Sequence, residues 1–250
     1  MPQIVAAGHP LEYKLIGGAG PTLVFLHEGL GSIPQWRDFP DKVAQATGCR
    51  ALVYDRYGYG NSVVLQETRV GLDFMHREAL VILPEVFSRL EIRDPILIGH
   101  SDGASITLIH AATHPVCGVV TMAAHVFVEE FGLKSIETLN RTFETGGLLQ
   151  GLGKYHRDAR RTFHLWADAW LDPAFRNWNI EAYLPGINCP VLAIQGEEDE
   201  YGTMAQLDAI ARQVGGPCEL LKLPQCGHSP HRDRPEKVLK VVVDFVKRLL

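Results

Sequence analysis

Apolar and polar residues alternate from Leu11 to Ile16, and Gly17-Gly18 follow, which predicts a half-buried strand and a turn. Further on, the apolar stretches are short and continuous. Thr22–Leu26, Ala51–Tyr54, Ile96–Ile98 and Val116–Met122 read as buried strands. Between them, helix-period patterns cover Gln35–Thr47, interrupted by Pro40, and Ala104–Ala112. A third covers Asp73–Leu90 and is bent where Pro84 removes a backbone donor. Val191–Gln195 and Glu219–Leu223 read as two more strands, with helices over Thr203–Val214 and Pro235–Leu250. Strands alternating with helices predict an α/β fold, with a mostly parallel sheet covered by helices on both faces.

The rhythm breaks once. From about residue 124 to residue 186 the pattern gives helices (Lys134–Thr145, Gly147–Tyr155 and Asp158–Leu171) and no strand. The chain therefore divides into a core of residues 1–123 and 187–250 and a helical insertion of residues 124–186. A length of 250 residues suits one domain with such an insertion.

The turn after Ile96–Ile98 reads Gly99-His100-Ser101-Asp102-Gly103, a Gly-x-Ser-x-Gly between a strand and a helix. A serine projecting from so sharp a turn needs a strained backbone. Small residues two before and two after let the strand and helix approach. The turn also aims backbone N–H groups and the positive helix end at one point, where an oxyanion would form. Serine alone is a poor nucleophile near neutral pH, so it needs a base, and the base needs an orienting acid. On a parallel sheet these come from loops at the carboxyl ends of other strands, which share one face. Val191–Gln195 runs into Gly196-Glu197-Glu198-Asp199-Glu200, and Glu219–Leu223 into Pro224-Gln225-Cys226-Gly227-His228. His228 is the expected base, and His231 is expected at the surface. Spacing alone does not choose among the four carboxylates, although Glu197, Glu198 and Glu200 read most simply as solvated loop charges. His100, beside the nucleophile, reads as a packed residue.

These segments, with His27-Glu28-Gly29 after an early strand and Asp55-Arg56-Tyr57-Gly58-Tyr59-Gly60-Asn61-Ser62, resemble the α/β-hydrolase fold superfamily over nearly the full chain. The resemblance implies an eight-stranded, mostly parallel sheet and a helical cap made by residues 124–186. By its Gly-x-x-Asp pattern it assigns the acid to Asp199, giving a Ser101–Asp199–His228 triad. The superfamily usually has His-Gly-x after the early strand, where x supplies an oxyanion N–H. Here Glu28 stands at the Gly position. Trp36, nine residues after His27, has a spacing common in the superfamily and argues against an inserted residue. The implied donors are then the backbone N–H groups of Gly29 and Asp102; with an insertion, Leu30 replaces Gly29. Glu28 either points into the site, where it would repel anionic substrates, or points away and bonds to backbone. Phe163, Trp166 and Trp170 share one helical face, which either packs the cap on the core or lines a substrate site. The expected substrate contacts are Glu28, Leu30, His125, Phe127 and Trp166.

Composition narrows the partners. Residues are 46% hydrophobic and 21% charged, enough for a sizeable core. Twenty-four Lys+Arg against 29 Asp+Glu give a net charge of −5, so there is no electrostatic case for nucleic acid or an anionic membrane. No apolar run approaches the ~20 residues of a membrane span. Met1–Pro10 lacks a secretory pattern, and five scattered cysteines read as reduced thiols, so a cytoplasmic location is expected. Cys226 and His228 have no second pair at ligand spacing, so no metal is expected, and triad chemistry on Ser101 needs no cofactor. The expected function is hydrolysis of a small ester, thioester or related carbonyl compound, with the oligomeric state open. The alternatives are carbon–carbon bond hydrolysis or a lyase reaction on the same triad, or a slow-turnover ligand-binding module. Dehalogenases and epoxide hydrolases of this fold use an aspartate nucleophile, and Ser101 counts against both.

Overall fold

The computed structural model describes residues 1–250. Eight strands run β1 (Gln3–Ala6), β2 (His9–Ile16), β3 (Ala19–Leu26), β4 (Cys49–Tyr54), β5 (Ile96–His100), β6 (Gly118–Met122), β7 (Val191–Gly196) and β8 (Cys218–Leu223). They form one sheet in the order β1-β2-β4-β3-β5-β6-β7-β8. The β1–β2 and β2–β4 pairs are antiparallel, and every other pairing is parallel. The sequence pattern misses β1, whose four residues bury only Ile4 and Ala6, too short an alternation to stand out.

The helices are α1 (Phe39–Thr47), α2 (Phe74–Arg77), α3 (Leu83–Arg89), α4 (Asp102–Ala111), α5 (Glu130–Thr142), α6 (Leu148–Leu152), α7 (Ala159–Leu171), α8 (Met204–Gln213), α9 (Pro230–Asp233) and α10 (Pro235–Arg248). Pro40 begins α1 instead of interrupting a longer helix, and a separate 3-10 turn covers Ile33–Trp36. At the second helical position the missing proline N–H would have had no partner anyway. A π-helical turn, Glu78–Ile82, joins α2 to α3 just ahead of Pro84. The extra residue in that turn takes up the backbone misfit that proline creates.

Alternate strand residues feed opposite faces of the sheet. Val24, Leu26, Leu52, Leu97, Val119 and Val191 pack on one side with α4, all ten of whose residues are buried. Leu23, Phe25, Ile96, Ile98, Val120 and Leu192 pack on the other with Val43 of α1 and Val238, Val242 and Val246 of α10. Between β6 and β7 the chain contributes no sheet strand, only an isolated bridge of Phe127 to Asn179. Val126, Phe143, Phe163, Trp170 and Phe175 of that segment join the same apolar cluster as Val24 and Leu97, so the insertion shares one core with the sheet. Phe143 and Phe163 stack there with centroids 3.7 Å apart. No helix is long and apolar enough to cross a membrane.

The core holds several histidines uncharged, which gives a prediction about acid stability. Burial pushes His110 and His125 down to about 4, and holds His27 and His231 well below the ordinary imidazole range. The unfolded chain protonates these rings below about 6.5 while the native chain does not. Stability is therefore complete above that pH and falls as pH drops toward 4, by about 1.4 kcal/mol per pH unit for each such ring. His76 and His156 shift down as well, so six rings run with the trend, and four groups oppose it: His228 and the buried carboxyls of Asp55, Glu78 and Asp102, all shifted upward. The melting temperature should fall between pH 6.5 and 4, and fall less in His110→Asn. A flat profile across that range would contradict the neutral-core account.

Candidate active site

The carboxyl ends of β3, β5, β7 and β8 open onto one edge of the sheet, and four loops converge there. Ser101 sits on the turn from β5 to α4 with φ 52° and ψ −120°, a left-handed conformation that costs a non-glycine residue ~1–3 kcal/mol. Glycine is required on either side of it. A Cβ on Gly99 would strike the backbone of Gly103 and Ala104, and one on Gly103 would strike the carbonyls of Leu26 and His27. Strand β3, helix α4 and the turn thus pack backbone to backbone.

His228 Nε2 lies 2.9 Å from Ser101 Oγ. Its Nδ1 lies 2.8 and 3.0 Å from the two carboxylate oxygens of Asp199. Asp199 is itself held: Gln195 Nε2 donates to Oδ2 at 2.7 Å, and the Tyr201 amide to Oδ1 at 2.8 Å. Burial penalises the Asp199 carboxylate, but the His228 hydrogen bond and charge outweigh it and hold the group below its ordinary range. Burial likewise penalises the His228 cation, and the Asp199 hydrogen bond and charge outweigh it, so His228 is raised. Glu197, Glu198 and Glu200 are exposed. Glu200 is more than a solvated charge, since the His228 amide donates to its Oε2 at 3.2 Å.

The loop after β3 is fixed through one peptide. The Glu28 carbonyl accepts from Arg56 Nη2 at 2.9 Å, from the Gly31 amide at 3.0 Å and from His27 Nδ1 at 2.7 Å. In a trans peptide the N–H points opposite to the C=O, so the Gly29 N–H faces away from those three donors. The amides of Gly29, Leu30 and Asp102 have no acceptor within the protein.

A cavity of about 130 Å³ opens beside Ser101, lined by Glu28, Gly29, Leu30, Asp102, His125 and Glu129, by Leu133, Ile136 and Leu139 of α5, by Trp166 and Trp170 of α7, and by Tyr201 and His228. Glu28, Leu30, His125 and Trp166 are therefore at the cavity, as the sequence suggests. Phe127 is not. Its backbone bridges Asn179 and its amide and carbonyl bond the Gln206 side chain, which turns that residue into the joint between insertion and core. The aromatic face of α7 divides: Phe163 packs in the core, whereas Trp166 and Trp170 reach the cavity. Leu133, Ile136, Leu139 and Tyr201 are cavity residues that sequence reasoning missed; an α5 stripe at i, i+3 and i+6 is the only signal it carried. His231, expected at the surface, is buried against Trp36, Phe39 and His100.

Asp102 adds a second buried carboxylate. Burial pushes it up, opposed by Arg56, by His228 and by the Trp170 and Trp166 N–H groups. No cluster of three or more His, Cys, Asp or Glu side chains is arranged to hold a metal ion. The site thus offers a hydroxyl on an imidazole, a carboxylate on that imidazole, and free amides beside them.

The sequence profile of the alpha/beta hydrolase family matches residues 23–241. The chain belongs to that family. It is a hydrolase. A human protein, serine hydrolase BPHL of Homo sapiens, is 26% identical over 258 aligned residues, covering 98% of this chain and 86% of its own length. The 2-succinyl-6-hydroxy-2,4-cyclohexadiene-1-carboxylate synthase of an Enterobacter species is 23% identical, covering 91% of this chain and 92% of its own. Among solved structures, the enol-lactonase of Burkholderia xenovorans LB400 superposes with a TM-score of 0.77 at 18% identity, covering 98% of this chain and 99% of its own. At that identity the likeness speaks for the hydrolase fold.

Proposed function

We propose that this hydrolase cleaves a small ester, thioester or related carbonyl compound through an acyl-enzyme on Ser101. The observation that carries the reading is the continuous contact from Ser101 Oγ through His228 to Asp199, with Nε2 at 2.9 Å from the hydroxyl. Ser101 Oγ attacks the carbonyl carbon as His228 takes its proton. The electron pair moves to the carbonyl oxygen, which the Gly29 and Asp102 N–H groups receive. Collapse of the tetrahedral species expels the leaving group, which takes the proton from His228. Water then attacks the acyl-enzyme with His228 again as base. The pinned Glu28 carbonyl favours Gly29 over Leu30 as the donor.

Residues 124–186 act in this reading as a cap, with α5 and α7 roofing the acyl site. The roof is apolar, so the acyl group is a small apolar one. The carboxyl groups of Asp102 and Glu129 in the wall disfavour anionic substrates. The human relative is named a serine hydrolase and the Burkholderia neighbour an enol-lactonase, both consistent with carbonyl hydrolysis. A second reading, a lyase reaction on the same triad, draws on the Enterobacter relative, which is named a synthase and not a hydrolase. Short-chain nitrophenyl esters and a fluorophosphonate probe separate the outcomes. Turnover of the esters with stoichiometric labelling supports the first reading. Rapid labelling with no turnover across a broad ester panel would overturn it.

A further inference from the structure

Beside the Ser101–His228 pair, three segments meet through side chains that the mechanism above leaves unused. His100, the last residue of β5, is buried and points its Nε2 at the backbone carbonyl of His228, 2.7 Å away. A carbonyl oxygen only accepts, so Nε2 carries the proton and donates. That orientation turns Nδ1 toward Glu28, whose Oε2 lies 3.4 Å away. Glu28 Oε1 takes Arg232 Nη2 at 3.2 Å, and the same nitrogen donates to the Gln35 carbonyl at 2.7 Å. Burial disfavours the Glu28 carboxylate, yet His100 beside it and the Arg232 charge keep it well below the ordinary carboxylate range. Glu28 thus replaces the usual small residue with an anchor. It bonds away from the cavity while its own peptide presents Gly29.

We propose that His100 is a positioning residue for the base. Steadied by Glu28, it donates to the His228 backbone carbonyl and fixes where that imidazole stands relative to Ser101. Because Glu28 also belongs to the loop that carries Gly29, the same link ties the base loop to the oxyanion loop. The inference rests on the serine-hydrolase reading. Bulk packing is the competing role, since His100 also meets Trp36 and His231 at ring centroids 6.3 and 5.0 Å away.

The donor is what separates the two roles. Glutamine at position 100 places an amide N–H near the Nε2 position, whereas leucine fills space without a donor. His100→Leu should lower kcat about 100-fold with KM within about threefold, because misplacing a reacting group by about 1 Å can cost that much. His100→Gln should return to within about tenfold of the parent enzyme. Glu28→Gln should lower kcat about tenfold in the parent and much less in the His100→Gln background, since the two act as one unit. A folded His100→Leu with the parent's kcat, or a His100→Gln as slow as His100→Leu, overturns the proposal. Should the leucine variant not fold, additive effects of Glu28→Gln and His100→Gln overturn it and coupled effects support it. Fluorophosphonate labelling of the parent enzyme keeps the two readings apart. An unlabelled Ser101 refutes the serine mechanism, whereas a labelled enzyme indifferent to position 100 refutes only this inference.

Discussion

Ser101→Ala should abolish labelling by a serine-directed phosphonate and lower kcat by about 10⁶, the scale seen when a hydrolase loses its nucleophile. The variant should still fold and melt close to the parent. Ser101 is 7% exposed and its Oγ contacts His228 Nε2, which lines the open cavity, so removing one oxygen leaves little void. Alanine also keeps the Cβ and so the same left-handed strain as serine at φ 52°. The loss should therefore appear in kcat and not in stability. Undiminished labelling of the alanine variant would place the nucleophile elsewhere.

Asp199→Asn should lower kcat by about 10⁴ with little change in ground-state binding, as for other triads whose acid is made neutral. Two effects combine. The amide can present its N–H to His228 Nδ1, which favours the tautomer with its proton on Nε2, the wrong one to accept from Ser101. The negative charge that stabilises the imidazolium is also gone. The second effect carries a pH signature. In the parent, the Asp199 hydrogen bond and charge overcome burial and raise His228. The base must be neutral to act, so kcat/KM rises with pH through an inflection above the ordinary imidazole value. Without the carboxylate, burial dominates and the acid limb should move to lower pH as the plateau drops. Glu197→Gln and Glu198→Gln should each cost less than about tenfold, as exposed loop charges do. Glu200→Gln should also be mild, because glutamine keeps an oxygen for the His228 amide. A near-silent Asp199→Asn, or a glutamine variant equally damaging, would be inconsistent with the triad described here.

Residues with a local signature were legible in the chain. The alternation of strand and helix followed from side-chain period, and the β5–α4 turn from glycines at fixed offsets around Ser101. The loop carrying Gly29 and the position of His228 were placed by the strands they follow. Errors came where local pattern and environment part. Phe127 looked like a substrate contact because it leaves β6 near the site, yet its backbone is taken by Asn179 and Gln206. His231 looked like a surface residue because its neighbours Arg232 and Asp233 are polar, yet α9 turns it onto Trp36. Strand β1 was too short to register.

By itself, then, the sequence determined the α/β alternation, the strand-less insertion and the strained turn that carries Ser101. Each depends on residues within one or two turns of one another, where period, glycine placement and proline act directly on backbone torsions. Tertiary structure decided what depends on residues far apart in the chain. Four adjacent carboxylates are chemically alike in sequence, and only the fold buries Asp199 under Gln195 and the Tyr201 amide while leaving Glu197, Glu198 and Glu200 in water. Glu28 could have faced the cavity or turned from it. Arg232, 204 residues away, supplies the opposite charge and the hydrogen bond that turn it, with His100 Nδ1 3.4 Å from the other oxygen. The reason is range. A carboxylate or imidazole acquires its state from burial and partners within a few ångströms, and no spacing along the chain encodes which distant loops will provide them.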